Sequence, residues 1–334
     1  IIHHMILDPR TNKTILMAAK TKEHGVTIFR TTDFGKTWTP AIQPPQNTDM
    51  NLAHVFRITP GHDSEHGVWY AGTSPQGLYR SIDDGKTWDS VKGFNNNSVI
   101  QDVIRNQSKE LLKYQKLHSI LINSMNKKHM YIGMSYGGVF ESLDQGKNWE
   151  PLNQGVTADY LNQANPKFGH DPHSVISHPY KPERLYQQNH CGVYRLDRPE
   201  NKWVRIGDNM PSDIGDIGFP IVLHPDDPNT LWIFPIDGTE AWSRVCPGGQ
   251  PAIYCSKDGG DSWFRQDIGL PIRNAWLTVL RNSLNTDCMI ETGVYFGTTS
   301  GSLWMSDNEG NSWRQIAVHL PRILGIETGK ILKK

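Results

Sequence analysis

The sequence predicts an all-β fold, a β-propeller of four-stranded antiparallel blades. Three observations carry the prediction. An eight-residue phrase, clearest from Ser81 to Trp88 as Ser-x-Asp-x-Gly-x-Thr-Trp, recurs along the 334 residues. The tryptophans that close its copies, Trp38, Trp88, Trp149, Trp203, Trp263 and Trp313, follow one another at intervals of 50 to 61 residues, a period typical of propellers and solenoids. Each interval holds four short apolar runs separated by turn residues and shows no helical period, which favours the propeller.

The phrase has a physical logic. Asp33, Asp83, Asp144 and Asp258 fill its acidic slot, and Asn308 takes that slot in another full copy. A worn copy, one residue longer, runs from Arg195 to Trp203. An Asp can accept backbone N–H bonds inside a tight turn, and the Gly two residues later supplies positive φ. The Thr or Ser hydroxyl bonds locally. Trp38, Trp88, Trp149, Trp263 and Trp313 then open the next strand with a large apolar face. These Asp and Trp residues are read as structural.

The blades follow in order, each run bounded by Gly, Pro, Asn, Asp or Ser. The first, 1–44, has strands at 5–7, 14–19, 27–30 and 38–41. The second, 52–92, has them at 55–58, 68–71, 77–80 and 88–91. The third, 117–153, uses 119–122, 130–133, 138–141 and 149–152, and the fourth, 172–207, uses 174–177, 184–187, 192–196 and 203–206. The fifth, 217–268, uses 220–223, 230–234, 252–255 and 263–266. The sixth, 274–317, uses 277–280, 293–296, 302–305 and 313–316. Residues 321–328 read as the start of a further blade, and 1–334 as one domain.

Lys and Arg number 34, as do Asp and Glu, for a formal net charge of zero. No Lys/Arg stripe interleaves with aromatics, which argues against nucleic acid as a partner. No apolar run is long enough to span a membrane. The basic tail from Lys330 to Lys334 reads as solvated. Four cysteines are too few to staple a chain of this size. Cys191 and Cys288 read as small buried residues. Cys246 and Cys255 flank Pro247-Gly248-Gly249 and admit a cross-hairpin disulfide, whereas free thiols suit an intracellular protein and tilt the reading towards the cytoplasm. The chain opens at Ile1 without Met, which leaves a leader segment and oligomeric state open.

The repeated phrase resembles the Asp box, or BNR repeat, of sialidases, xyloglucanases, sortilin-type receptors and a photosystem assembly factor. The whole chain is similar to bacterial single-domain proteins of this kind labelled exo-sialidase-like or glycosyl-hydrolase-like. The likeness lies in Asp171-Pro172-His173-Ser174, Tyr186 to His190, Phe219 to Pro225 and Gly293 to Gly301. It implies that the box is a structural turn away from the reactive face. It also implies a seven-bladed wheel whose last blade, begun at 321–328, is incomplete in this chain; a six-bladed wheel is the alternative. The Arg-Ile-Pro signature of sialidases is absent, and Phe56-Arg57-Ile58-Thr59 is the nearest phrase. Authentic sialidase activity is therefore not implied.

Candidate site residues come from aligning the first strands on the turns that end them. Six residues before Pro9, Pro60, Ser124, Pro179, Pro225 and Asn282 stand His3, His54, His118, His173, Phe219 and Trp276. Four successive blades thus place His at one level. His is the commonest metal ligand, so His3, His54, His118 and His173 could hold a divalent transition metal; lining of a channel and direct ligand contact are the alternatives. His4 and His190 are rim groups. His178 and His224 precede Pro in turns at the other end and read as structural. The long loops lie at the strand starts. Residues 93–117 offer a short helix at 104–114, 153–172 carry Asp159, Tyr160, His170 and Asp171, and 208–218 carry Asp213 and Asp216. Asp171, His173 and Asp216 are the catalytic candidates. Ligand contact is expected from His3, His54, His118, His190, Trp276, Arg322 and Glu240, the last beside Trp242 and Arg244.

A glycosidase needs two placed carboxyl groups, and Asp171 with Asp213, Asp216 or Glu240 could supply them. Three functions remain open. One is a hydrolase or lyase acting on a glycan or other polar ligand at a His-rich mouth. The others are a non-catalytic carbohydrate or ligand binder and a scaffold for protein assembly.

Overall fold

A computed structural model describes residues 1–47, 51–105, 115–161, 166–238 and 244–329. The recurring phrase folds as the turn between the third and fourth strands of a sheet. Asp83 Oδ1 accepts from the backbone N–H of Lys86 at 3.1 Å and of Thr87 at 2.9 Å, while Oδ2 accepts from Thr87 Oγ1 at 2.7 Å. Ser81 Oγ accepts from Gly85 N at 3.0 Å. Asp33 makes the same bonds, and donation from Thr31 and Thr37 holds its carboxyl well below the usual carboxylate range. At Asn308 an amide suffices: Oδ1 accepts from Ser312 N at 2.9 Å and Nδ2 donates to Ser312 Oγ at 2.9 Å. The turn needs two consecutive left-handed residues rather than the one expected. Phe34, Asp84, Gln145, Gly259 and Glu309 have positive φ, each just before the box Gly.

The chain is all-β, a β-propeller of six four-stranded antiparallel blades, each in sequential strand order. It divides into two compact units. The first unit holds three blades. They comprise β1 (Ile2–Leu7), β2 (Ile15–Thr21), β3 (Gly25–Thr31) and β4 (Thr39–Pro40); β5 (His54–Pro60), β6 (Trp69–Ser74), β7 (Leu78–Ser81) and β8 (Asp89–Ser90); and β9 (Leu117–Asn123), β10 (Asn126–Met134), β11 (Gly138–Ser142) and β12 (Glu150–Pro151). Leu16, Ile58, Trp69 and Trp88 pack one core, and Leu78, Phe94, Met130, Phe140 and Trp149 pack another. Trp88 is 2% exposed, with Nε1 donating to Gly85 O at 3.0 Å, so the box closes onto its own tryptophan.

Between the second and third blades lie α1 (Lys92–Asn95) and α2 (Ser98–Arg105). Asn97 caps α2 by accepting from Val99 N and Ile100 N, and Ile100 and Ile104 are buried. The helix expected at 104–114 thus ends where it was to begin, and 106–114 lie outside the described residues.

The second unit holds the other three blades. They comprise β13 (Pro172–His178), β14 (Lys181–Asn189), β15 (Gly192–Asp197) and β16 (Val204–Arg205); β17 (Gly218–Leu223), β18 (Leu231–Pro235), β19 (Ile253–Ser256) and β20 (Phe264–Gln266); and β21 (Val279–Thr286), β22 (Val294–Thr298), β23 (Leu303–Ser306) and β24 (Arg314–Ala317). Trp232, Phe234, Phe296 and Trp313 fill one core, and Tyr186, Ile206, Ile221 and Tyr254 another. Trp263 and, in the first unit, Trp38 are only half-buried.

The blade count is that of the six-bladed alternative. Within 321–328, Gly325 makes one parallel bridge to Asn282 of β21. The cysteines are free, and Cys246 Sγ donates to Ala275 O at 2.9 Å, so the disulfide considered for Cys246 and Cys255 is not formed. Cys288 is exposed, against expectation, because β21 runs on to Thr286 and leaves Cys288 on the hairpin beyond. Among the described residues no helix is long and apolar enough to cross a membrane.

Candidate ligand site at the strand starts

The candidate residues gather where the first strand of each blade begins, and there the pairing is irregular. Ile2 faces Ala19 and His4 faces Ala18, so His3 is an extra residue in β1. Leu117 faces Met134 and Ser119 faces Gly133, which makes His118 the extra residue of β9. Pro172 faces Asn189 and Ser174 faces Gln188, which does the same for His173. In β5 the extra residue is Phe56, between Val55 and Arg57. A bulge turns a side chain out of the ladder's alternation, a common device for aiming a functional group.

In the first unit His3 and His54 stack, with ring centroids 4.2 Å apart and planes inclined by 16°. Burial, helped by Lys116 and Lys20, lowers the His3 pKa to about 4. Burial, followed by His3, Lys116 and Lys20, lowers that of His54 to about 3. Both rings are therefore neutral near pH 7. His118 is buried with Nδ1 3.0 Å from Ser119 Oγ. Asp171 is buried and accepts from Tyr136 N at 3.3 Å. Gln76 Oε1, both polar atoms of the Gln115 side chain and Ser135 Oγ are buried without hydrogen-bond partners. Such atoms cost about 1–3 kcal/mol each when left unpaired.

In the second unit His173 is fixed by a short contact: Nδ1 lies 2.6 Å from Gly218 O. A carbonyl only accepts, so Nδ1 carries a proton. Gly218 allows this approach, because a Cβ there would stand 2.8 Å from Phe234 O. His173 meets His190 edge-on at 5.6 Å and Phe219 at 4.9 Å, and His190 meets Tyr160 edge-on at 5.6 Å. The guanidiniums of Arg281 and Arg244 lie 5.3 and 5.9 Å from the Phe219 ring centre. An open cleft here is walled by His173, His190, Phe219, Ile236, Asp237 and Arg244.

The predicted residues divide between the two units. His3 and His54 meet in the first, and His173 and His190 in the second. Taken alone, neither unit holds three His, Cys, Asp or Glu residues whose ligand atoms lie within 4.8 Å of one another, among the described residues. Asp216 is held in an ion pair. Arg205 grips its carboxylate at 2.8 and 3.0 Å, and Val193 N adds a bond at 3.1 Å. Those bonds to Asp216 push the Arg205 pKa up. Gly192 and Gly207 lack the Cβ that would fill the carboxylate's place. Arg322 is exposed, and Glu240 and Trp242 lie outside the described residues. His178 and His224 hold turns, bonding to Pro225 O and to Thr292 Oγ1, both at 2.9 Å.

Aligning the sixth blade on Asn282 puts Trp276 level with the histidines. Asn282 lies mid-strand, and β21 pairs Val279 with Thr298 but Leu284 with Phe296, a shift that absorbs extra residues. Arg281 is the residue that reaches Phe219. Trp276 stands outside the strand, 58% exposed, on the loop bonded to the Arg244–Gly249 stretch through Thr278 Oγ1 and Ala275 N. The missed signal was Asp287, the Asp that opens the true turn by accepting from Met289 N and Gly293 N.

No protein-family model matches the chain. It is 21% identical over 257 residues to a xyloglucanase of Paenibacillus sp., an alignment covering 71% of this chain and 23% of that protein. The chain thus spans less than a quarter of that relative's length. Among solved structures it is similar to the GH74 xyloglucanase of Xanthomonas campestris, with TM-score 0.68 and 18% identity over 93% of this chain and 46% of the other. It is also similar to YCF48 bound to D1 peptide, with TM-score 0.56 and 15% identity over 94% and 82% of the two chains. At these identities the likeness to the solved structures is one of fold.

Proposed function

We propose that the protein binds a glycan in the cleft of its second unit. The observation that carries this reading is the run of rings from Tyr160 through His190 and His173 to Phe219, with Trp276 exposed on the loop bonded to Arg244 and Gly249. The apolar faces of sugar rings pack on such aromatics, and hydroxyls bond to the polar groups between them. Arg244 and Asp237 on the cleft wall bond to the hydroxyls. The weak likeness to xyloglucanases supports a glycan over other polar ligands.

Titration calorimetry with xyloglucan and cello-oligosaccharides tests the proposal. Binding is expected, weakened about five- to tenfold in Trp276→Ala and in Tyr160→Ala, as loss of one stacking face would give. An absence of glycan binding, or variants that bind as tightly as the parent, would sink it.

Glycan hydrolysis is a second reading, favoured by Asp237, a carboxylate on the same cleft wall as His173 and His190. Release of reducing ends is then expected from the parent and lost in Asp237→Asn with binding kept. Asp171→Asn is assayed alongside.

A further inference from the structure

The recurring turn is made by its Ser, Asp, Gly and Thr slots, which leaves the positions between them free to vary. The two units fill those positions differently. In the first unit every copy has an exposed lysine after its Gly: Lys36, Lys86 and Lys147. Each copy also exposes one large apolar side chain, Phe34 at 50%, Ile82 at 67% and Leu143 at 64%. In the second unit Lys257 with Asp261, and Asp307 with Asn311, stand at the matching positions, and the same turn bonds form. Folding the turn therefore asks for neither the lysines nor the apolar tips. Phe34 is even unfavourable locally, a bulky residue at φ 58° where another copy has Gly259.

In the first unit these tips are tied side by side. Asp84 accepts from Arg30 Nε of the first blade at 3.1 Å, and its own N–H donates to Gly67 O at 2.8 Å. From the third blade, Gln145 Nε2 donates to Glu65 Oε1 and its backbone N–H to Lys128 O, both at 2.8 Å. The neighbouring strand turns add exposed Lys13, Lys127 and Lys128, and Met125 at 82% exposure. The acids here are turned to internal partners. Asp8 pairs with Arg10 at 2.8 Å and Glu65 with Arg80 at 3.3 Å, and the Asp of each copy accepts from its own turn. Among the described residues of these turns Asp63 is the one exposed acid.

We propose that this end of the first unit is a peripheral membrane-binding surface for an anionic phospholipid bilayer. The lysine ammoniums meet headgroup phosphates and carboxylates, while Phe34, Ile82, Met125 and Leu143 enter the boundary between headgroups and acyl chains. Charge selects the anionic lipid. The apolar side chains stand singly, each beside a lysine, rather than in one patch, which suits a fluid layer that adapts around separate tips better than a protein of fixed shape. The proposal stands apart from glycan binding at the strand starts of the second unit.

The test is flotation of the full chain with vesicles of phosphatidylcholine, alone or with about 30 mol% phosphatidylserine, at about 0.1 M and about 0.5 M NaCl. Binding is expected to the mixed vesicles at low salt, with loss at high salt and none to phosphatidylcholine alone. Each surface lysine contributes about fivefold, so Lys86→Gln with Lys147→Gln is expected to lower affinity about twentyfold. Ile82→Ser with Leu143→Ser, exposed positions where folding is not at stake, is expected to lower it about tenfold at constant charge. Phe34→Gly is expected to weaken vesicle binding about threefold while the urea midpoint holds or rises, since the left-handed position suits Gly. Lys257→Gln in the second unit is expected to change nothing. No flotation with anionic vesicles, full binding by the Ile82 and Leu143 double variant, or an equal loss in Lys257→Gln would overturn the proposal. Loss of oligosaccharide binding with flotation intact would instead remove only the reading of the second unit.

Discussion

Each blade has two unlike ends. At the box end one turn recurs with the same bonds, from Asp33 and Thr37 to Asn308 and Ser312. At the strand-start end every blade differs: His3, Phe56, His118 and His173 are extra residues in four ladders, and β17 and β21 shift in their own ways. Repetition at one end is what stability asks, since one turn, reused in five of the six blades, solves the same closing problem each time. Individuality at the other end is what recognition asks, since a ligand is met by unlike groups on a rigid frame.

This contrast predicts a separation of effects. The largest is at a box: Trp88→Ala empties a 2% exposed core position and is expected to cost about 3–5 kcal/mol, measured by urea unfolding, with ligand affinity kept under native conditions. Next is Asp216→Asn. It weakens the Arg205 clamp, and a loss of about 2 kcal/mol of stability is expected, because charge-assisted bonds are broken and Arg205 is only partly buried. A glycan affinity that fell without any change in stability would show that Asp216 belongs with the site after all.

A smaller effect is pH-dependent. The folded pKa values of His3 and His54 are depressed to about 4 and about 3, whereas the unfolded value is 6.5. The unfolded chain therefore binds more protons between those limits. The contribution of this pair is fully present above pH 6.5 and is lost as pH falls towards 4 and then 3. His54→Gln should flatten that part of the stability curve in denaturation series at pH 7, 6 and 5. The smallest effect on stability belongs to Trp276→Ala. A change within about 0.5 kcal/mol is expected in thermal unfolding, beside the loss of glycan affinity given above.

The box end was legible in the sequence because its information is local. Asp83, Gly85, Thr87 and Trp88 form their turn largely among themselves, so spacing alone reveals it. The unread part, the left-handed residue before each Gly, carries no fixed side chain: Phe34, Asp84, Gln145 and Glu309 all serve. The strand starts were only half legible. Composition showed histidines at matching positions, but which of them bulges depends on the neighbouring strand's register. His3 and His54 share a residue type and an aligned position with His173, yet stacking decides their chemistry and a Gly218 carbonyl decides its chemistry. In the sixth blade the absence of Pro at the turn moved the alignment onto Asn282 and put Trp276 where Arg281 belongs.

The last described stretch of the second unit has a mechanical consequence. Residues 323–328 run beside β21 as a strap. Ile326 N donates to Asn282 O, Ser283 Oγ to Ile323 O, Asn285 Nδ2 to Ile326 O and Thr328 Oγ1 to Thr286 O. The bridge at Gly325 is parallel, so tension drawn through Thr328 loads these bonds together in shear instead of peeling them one by one. Under a force drawn along it, the strap would release from β21 in one step rather than bond by bond.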